Sequence, residues 1–286
     1  MRPKQSMPAK ILNLFKKAQR GRWAIGQFNF SNLETLKAIV QAAEKLKSPT
    51  IVGTSEGESK FVGLEQAAAL VKSYREKTKL PIILNLDHGR SFDYIKKAID
   101  AGYDAVHFDG SGLSLEKNIQ ETKKVVNYAR KHGVLVEGEA GVIGDVGKQK
   151  GVLTEPKDAL RFVKETKVDS LAVAIGNLHG IEASGINPKL NLKRLKEIKE
   201  KIGNIPLVLH GGSGTPEADI KKAIKSGIVK ININTELRMA YTNTLKKSFQ
   251  EKPTEIVSYK YMPLVVEAVQ RVVEEKIRLF GSQNKA

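Results

Sequence analysis

The sequence contains no cysteine. Disulfides and thiol catalysis are thereby excluded, and any bound metal must be held by His, Asp or Glu. Long apolar runs are also missing: none approaches the roughly 20 residues needed to cross a bilayer. The opening MRPKQSMPAK is basic, but no apolar stretch of signal-peptide length follows it. A cytoplasmic protein with no membrane partner is therefore expected. Aromatic residues make up only 6%, with a single tryptophan. No GxGxxG follows the first apolar run, which argues against a dinucleotide-binding open sheet.

Acidic charge is in deficit, with 31 Asp plus Glu against 48 Lys plus Arg and a formal net charge of +17. Lysines attract phosphates regardless of sequence, so nucleic acid is the first partner to weigh. These lysines, however, are spread over helical faces such as REKTK, ETKK and NLKRLKEIKEK. No aromatic-interleaved stripe, helix-turn-helix or RNA-binding signature accompanies them. The pattern reads as a solvated basic shell that draws small anionic substrates toward a cleft, and nucleic acid is not the expected partner.

What is present is an alternation of short apolar runs with amphipathic stretches. The runs are WAIGQFN (23–29), TIVGTS (50–55), PIILNLD (81–87), AVHFDG (105–110), VLVEGE (134–139), SLAVAIG (170–176), PLVLHG (206–211) and VKININT (229–235). Between them, apolar residues recur at three- and four-residue spacing, and Gly or Pro marks the joins. Near-continuous apolar strands alternating with helices imply a parallel sheet covered by helices. The eight units predict an α/β fold, a (β/α)8 TIM barrel forming one domain over residues 1–286. Two helices fall outside the repeat: 8–20, placed to plug the lower mouth of the barrel, and a C-terminal extension over 263–280.

Catalytic groups of such barrels sit at the C-terminal ends of the strands. The polar residues there are Asn29 after the first strand, Asp87 and His88 after the third, and Glu137 and Glu139 in the fifth. His179 follows the sixth strand, His210 ends the seventh, and Asn232, Asn234 and Thr235 belong to the eighth. Three of the five histidines thus fall on one rim. Three imidazoles with an open fourth position suit a catalytic divalent metal, most naturally zinc. The remaining two read as structural: His132 at a helix end, and His107 as a packed or hydrogen-bonded residue inside the fourth strand. Small residues follow two of the rim histidines, Gly180 after His179 and GGSG (211–214) after His210, with Pro216 placed to open a helix. HGGSG is either an ordinary strand-to-helix turn or a phosphate cradle, in which backbone N–H groups and a helix N-terminus face the anion.

NLDHG (85–89), GNLHG (176–180), LHGGSG (209–214) and KININTE (230–236) together resemble the class II, metal-dependent fructose-bisphosphate/tagatose-bisphosphate aldolases. The similarity runs from about residue 5 to the C-terminus. The resemblance implies reversible cleavage of a ketose 1,6-bisphosphate, first of all fructose 1,6-bisphosphate, to dihydroxyacetone phosphate and glyceraldehyde 3-phosphate. The zinc ligands it implies are His88, His179 and His210, with Glu139 as an alternative or second divalent-metal position. Asp87 matches the acid that handles the C4 hydroxyl proton. Gly180, Gly211, Ser213 and Thr235 match residues around the triose phosphate. Asn29 and Asn232 match residues near the triose, and Asn234 stands where relatives often have Asp. The main chain beside Gly180 and Gly211 resembles a Na+ or K+ site, and family analogy implies a homodimer or homotetramer. A lysine Schiff base is disfavoured: SLAVAIG has no lysine, and Lys230 is read as entering the last strand from its N-terminal side.

The pattern departs at several points. The segment 138–155, GEAGVIGDVGKQKGVLTE, lacks the EAELGxxGGxED of relatives, whose loop glutamate is credited with proton transfer at the triose C1 carbon. Asp145 and Glu155 are the nearby acids, and neither aligns with it. HGIEAS replaces HGxYK, and DGSG (109–112) lacks the histidine of DGSH. Three alternatives therefore stay beside fructose bisphosphate cleavage: a tagatose-bisphosphate aldolase, an aldolase for another phosphorylated keto-sugar, and a catalytically weakened barrel that binds anions or nucleic acid.

Overall fold

The structure is a computed structural model and describes residues 6–148 and 150–286. Its strands are β1 (Ile25–Asn29), β2 (Thr50–Ser55), β3 (Ile82–Gly89), β4 (Ala105–Phe108) and β5 (Leu135–Ala140). They continue with β6 (Gly144–Asp145), β7 (Ser170–Val173), β8 (Leu178–His179), β9 (Leu207–Leu209) and β10 (Ile228–Ile233). Eight of them close a barrel in the order β1-β10-β9-β7-β5-β4-β3-β2, while β6 and β8 form a separate two-stranded sheet above it. All barrel pairings are parallel. The expected (β/α)8 barrel is the fold, and each apolar run supplies one barrel strand.

The helices are α1 (Met7–Gly21), α2 (Leu33–Lys45), α3 (Glu56–Val62), α4 (Leu64–Thr78), α5 (Phe92–Asp100) and α6 (Leu115–His132). After them come α7 (Pro156–Thr166), α8 (Leu192–Ile202), α9 (Glu217–Lys225), α10 (Thr235–Glu251) and α11 (Ser258–Phe280). Their starts follow local chemistry: Asn32, Ser91, Ser114 and Asn191 each accept an N–H of the first turn through the side chain. In α5, Ile95, Ala98 and Ile99 form the buried stripe that three-to-four spacing demands. The C-terminal helix begins at Ser258, not at Pro263, which lies inside it. Proline removes one backbone donor, and here the unpaired carbonyl belongs to the exposed first turn.

Two apolar layers hold the barrel. The larger fills the space between strands and helices, with Phe28, Val52, Leu84, Val106, Phe162 and Ile231 fully buried. The smaller lies at the lower mouth, where Ile11, Leu14 and Phe15 of α1 pack on Ile25, Ile51, Ile83 and Leu135. The first helix is thus the expected plug. Above this layer the barrel interior turns polar. Successive strand residues face opposite sides, and Gln27 with Asn29, Asn85 with Asp87, Glu137 with Glu139, and Lys230 with Asn232 occupy buried i, i+2 positions. Among the described residues, no helix is long and apolar enough to cross a membrane.

Candidate active site

Asp87 and His88 are adjacent, so a regular strand would send them to opposite faces. The register between β3 and β4 shifts at this point: Leu86 pairs Val106 and Gly89 pairs Phe108, leaving two residues of β3 against His107 alone. His88 sits in the left-handed region with φ +53°. Such a bulge re-aims side chains, and both groups line the same cavity at the C-terminal mouth. The backbone N–H of His88 donates to His107 Nδ1 at 3.2 Å, which secures the bulge.

Each of two histidines is oriented by a carboxylate. His88 Nδ1 lies 2.8 Å from Asp109 Oδ2, and His210 Nε2 lies 2.7 Å from Glu137 Oε1. With those N–H groups donating outward, His88 Nε2 and His210 Nδ1 face each other at 3.0 Å. That 3.0 Å contact is a hydrogen bond when the proton that His88 gains sits on Nε2; without that proton both nitrogens offer lone pairs to a cation, and carboxylate-backed histidines are characteristic of metal sites. Burial disfavours a charge on His88, but Asp87, Asp109 and Glu139 outweigh it and push its pKa up to about 10. Burial, then the neighbouring His88 and His210, pushes His179 down to about 4, and burial also lowers His210. Positive charge is therefore favoured at His88, where the surrounding carboxylates suit a cation.

Metal-capable atoms of Asp87, His88, His107 and His210 lie within 4.8 Å of one another, as do those of His88, Asp109 and Glu139. His179 stands slightly apart, its ring centroid 4.8 Å from His88 and 6.1 Å from His210. The reason is positional: it hangs from the two-residue β8 above the barrel, whereas His88 and His210 are anchored to barrel strands. His107 is buried and hydrogen-bonded as expected, but it also borders the cluster. Its Nδ1 accepts from His88, so the proton resides on Nε2, 3.4 Å from Glu139 Oε2. Glu139 Oε2 and Asn232 Oδ1 are buried acceptors without a hydrogen-bond partner, and both fit a cation or a ligand hydroxyl. His132 lies away on α6, with Nδ1 3.0 Å from Tyr128 O.

Asp87 is clamped from two sides, accepting from Asn29 Nδ2 at 2.9 Å and from Asn232 Nδ2 at 3.0 Å. Burial opposes its ionisation, yet the positive potential of His88, His210 and Lys230 holds its carboxyl well below the usual range. It is a fixed proton acceptor at neutral pH. Lys230 differs from the sequence expectation: it lies inside β10, 2% exposed, with Nζ 2.7 Å from Glu137 Oε2. It stands beneath the histidines as a buried counter-charge.

The small residues gather beside this cluster. Gly180, Gly211, Ser213 and Thr235 line the cavity of about 440 Å3 that also holds Asp87, His88, His179 and His210. Gly211 has φ +62°, and a Cβ there would stand 2.1 Å from Leu178 O. Only glycine lets the two loops meet. Asn187, not singled out in the sequence, fastens them: its Nδ2 donates to Gly180 O and Ser213 O at 3.0 and 2.9 Å. The 17-residue α10 starts at Thr235 and brings its positive end to the cradle. Gly211→Ala should lower stability by about 1–3 kcal/mol. Gly147→Ala, with φ +69° but nothing within 4 Å of its Cβ, should lose only the conformational part. Denaturant melts of both check this; equal losses would show that crowding at Gly211 is irrelevant.

Glu58 also escaped the sequence reading, although Ser55 and Glu58 have the spacing of a capping box. Its Oε2 accepts from Asn29 Nδ2 and Ser55 N, and its Oε1 from Asn234 Nδ2 and Arg238 Nη2. The departure at Asn234 follows: an aspartate there would face the buried Glu58 carboxylate.

A parallel barrel with carboxylate-backed histidines beside glycine-lined loops and a helix N-terminus has the groups to hold a cation and an anion at one mouth. The comparison with known proteins gives the family. The chain belongs to the family described as "Fructose-bisphosphate aldolase class-II", whose model matches residues 9–285. It is 41% identical over 283 residues to a probable fructose-bisphosphate aldolase of Bacillus subtilis, covering 96% of this chain and 98% of that one. It is 42% identical over 281 residues to a 6-phospho-5-dehydro-2-deoxy-D-gluconate aldolase of the same organism, covering 96% and 95%. The crystal structure of the YdjI aldolase from Escherichia coli K12 superposes with a TM-score of 0.83 at 36% identity, over 96% of this chain and 98% of that chain.

Proposed function

We propose that this aldolase cleaves fructose 1,6-bisphosphate reversibly to dihydroxyacetone phosphate and glyceraldehyde 3-phosphate, with zinc held by His88, His179 and His210. The observation that carries the metal reading is the approach of His88 Nε2 and His210 Nδ1 to 3.0 Å, each ring backed by a carboxylate. A divalent ion bound there supplies Lewis-acid stabilisation to the negative charge that develops on the triose oxygens. Glu139, with a free buried oxygen beside His88, suits an alternative or second metal position.

The chain's own groups account for the rest. The Asp87 carboxylate takes the C4 hydroxyl proton as the C3–C4 bond breaks, and returns it in the condensation direction. Gly180, Gly211, Ser213 and Thr235 hold the triose phosphate, while Asn29, Asn232 and Asn234 orient the triose and Asp87. Lys148 and Arg238 line the same cleft and Arg90 the adjoining cavity, which supports a second anionic group on the substrate. We further propose a cytoplasmic homo-oligomer. The similarity to an aldolase named for a phosphorylated deoxy-gluconate keeps other phosphorylated keto-sugars, and tagatose 1,6-bisphosphate, as the second reading. A coupled assay of triose phosphate release from both bisphosphates, with and without chelator, tests the proposal alongside elemental analysis. Chelator-sensitive release from fructose bisphosphate is expected. If the zinc-loaded protein released none from either bisphosphate, the fructose reading would be wrong.

A further inference from the structure

Three neighbouring strands, β10, β1 and β2, deliver Asn234, Asn29 and Ser55 to the mouth of the barrel. One carboxylate collects all three. Glu58 of α3, 7% exposed, accepts through Oε2 from Asn29 Nδ2 at 3.0 Å and from Ser55 N at 2.8 Å. Through Oε1 it accepts from Asn234 Nδ2 at 3.1 Å and from Arg238 Nη2 at 2.6 Å. Each oxygen takes two donors, and a buried polar network satisfied in this way is rigid.

Asn29 carries that rigidity to the proposed proton acceptor. Its Nδ2 has two N–H groups, one donating to Glu58 and the other to Asp87 Oδ2 at 2.9 Å. Its Oδ1 accepts from Gln27 Nε2 at 3.2 Å, and Gln27 Oε1 accepts in turn from Asn85 Nδ2 at 2.9 Å. The Asn29 amide is therefore held from three sides. Turned over, it would set its oxygen against two carboxylates. Asp87 receives one of its two amide donors from this group, the other being Asn232 Nδ2.

Asn234 shows how strictly the charge is placed. Its amide donates to Glu58 at 3.1 Å, so an acid in its place would bring a second carboxylate to that distance with no donor between them. Positions 58 and 234 together accommodate one acid and one amide. Glu58 does not line the cleft, whereas Asn29, Asn234 and Arg238 do. It can act on the reaction only through them.

We infer that Glu58 is a positioning residue: by fixing the Asn29 amide it holds the Asp87 carboxylate in place for proton transfer at the C4 hydroxyl. This assignment rests on the aldolase reading above.

The test is kcat for triose phosphate release from fructose 1,6-bisphosphate by zinc-loaded protein, with zinc content and denaturant melts alongside. Glu58→Ala leaves one Asn29 N–H without its acceptor and should lower kcat about 10- to 100-fold at unchanged zinc content. Asn234→Asp opposes two carboxylates and should also lower kcat. Adding Glu58→Gln to Asn234→Asp restores one acid and one amide with their places exchanged. The introduced glutamine keeps an oxygen for Asn29 and Ser55 N and turns its N–H groups toward the introduced aspartate. The double variant should regain about fivefold or more in kcat over Asn234→Asp alone. A merely structural Glu58 would shift the melts and leave kcat of the folded, zinc-loaded protein as it was. Glu58→Ala within about threefold of the unaltered protein, or a double variant no faster than Asn234→Asp, overturns the assignment and leaves the aldolase reading standing. Absence of triose phosphate release by the unaltered protein overturns both.

Discussion

His210→Ala is expected to leave a protein that takes up no stoichiometric zinc and releases no triose phosphate. The side chain is fully buried and joins two systems, with Nε2 on Glu137 and Nδ1 facing His88 Nε2. Its removal takes away one of the two facing ring nitrogens, so His88 alone defines the point that both now share. It also strips Glu137 Oε1 of its donor, which costs about 1–3 kcal/mol for a buried acceptor left unsatisfied. Two separable losses follow, one of metal and one of stability. Elemental analysis and the coupled assay read the first, and a denaturant melt reads the second. His132→Ala is the control: that ring stacks on Tyr128 at the end of α6, and zinc, activity and stability should all persist. Full zinc occupancy and activity in His210→Ala would remove this residue from the metal centre.

The sequence made the fold and the rim legible because both rest on periodic signals. Apolar runs separated by amphipathic stretches name the barrel strands, and a polar residue after such a run falls at the catalytic mouth. That logic reached His88, His179, His210, Asp87 and Asn232. It did not reach the bulge that turns Asp87 and His88 to one side, because nothing in LDHG announces a histidine at φ +53°. Nor did it reach the loop from Gly141 to Val152, whose order comes from one isolated bridge and a two-residue strand pairing. Those contacts form across the chain and leave no periodic trace. Other omissions did leave signals. Gln27 and Asn85, buried polar residues two before Asn29 and Asp87 within apolar strands, mark the inward face of the barrel. The Ser55–Glu58 spacing marks a capping box whose glutamate turns out to tie Asn29, Asn234 and Arg238 together. Asn187 had no signal, since its role appears only once two loops distant in sequence meet.

Lys230→Met should produce the largest loss of stability. Lys230 and Glu137 are 2% and 4% exposed, and their charges meet at 2.7 Å inside the barrel. Such a pair adds little net stability over an apolar pair of similar size, but removing one partner abandons a buried charge and costs about 3–5 kcal/mol. The direction with pH follows from Glu137. Burial raises its pKa, but Lys230 and then His210 outweigh burial and hold the carboxyl well below its ordinary value. A carboxyl depressed on folding contributes stability that is present above its unfolded pKa, about 4.3, and is lost as pH falls through the folded value. Lys230→Met gives up that contribution, so the gap to the unaltered protein should be widest near neutral pH and should narrow as pH drops below about 4.3. Adding Glu137→Gln to Lys230→Met removes the abandoned charge while keeping an acceptor for His210 Nε2. The double variant should therefore recover more than half of the loss, a coupling that a thermodynamic cycle of the single and double variants measures. If the two substitutions were simply additive, the buried pair could not be what holds His210 in place beneath the cleft.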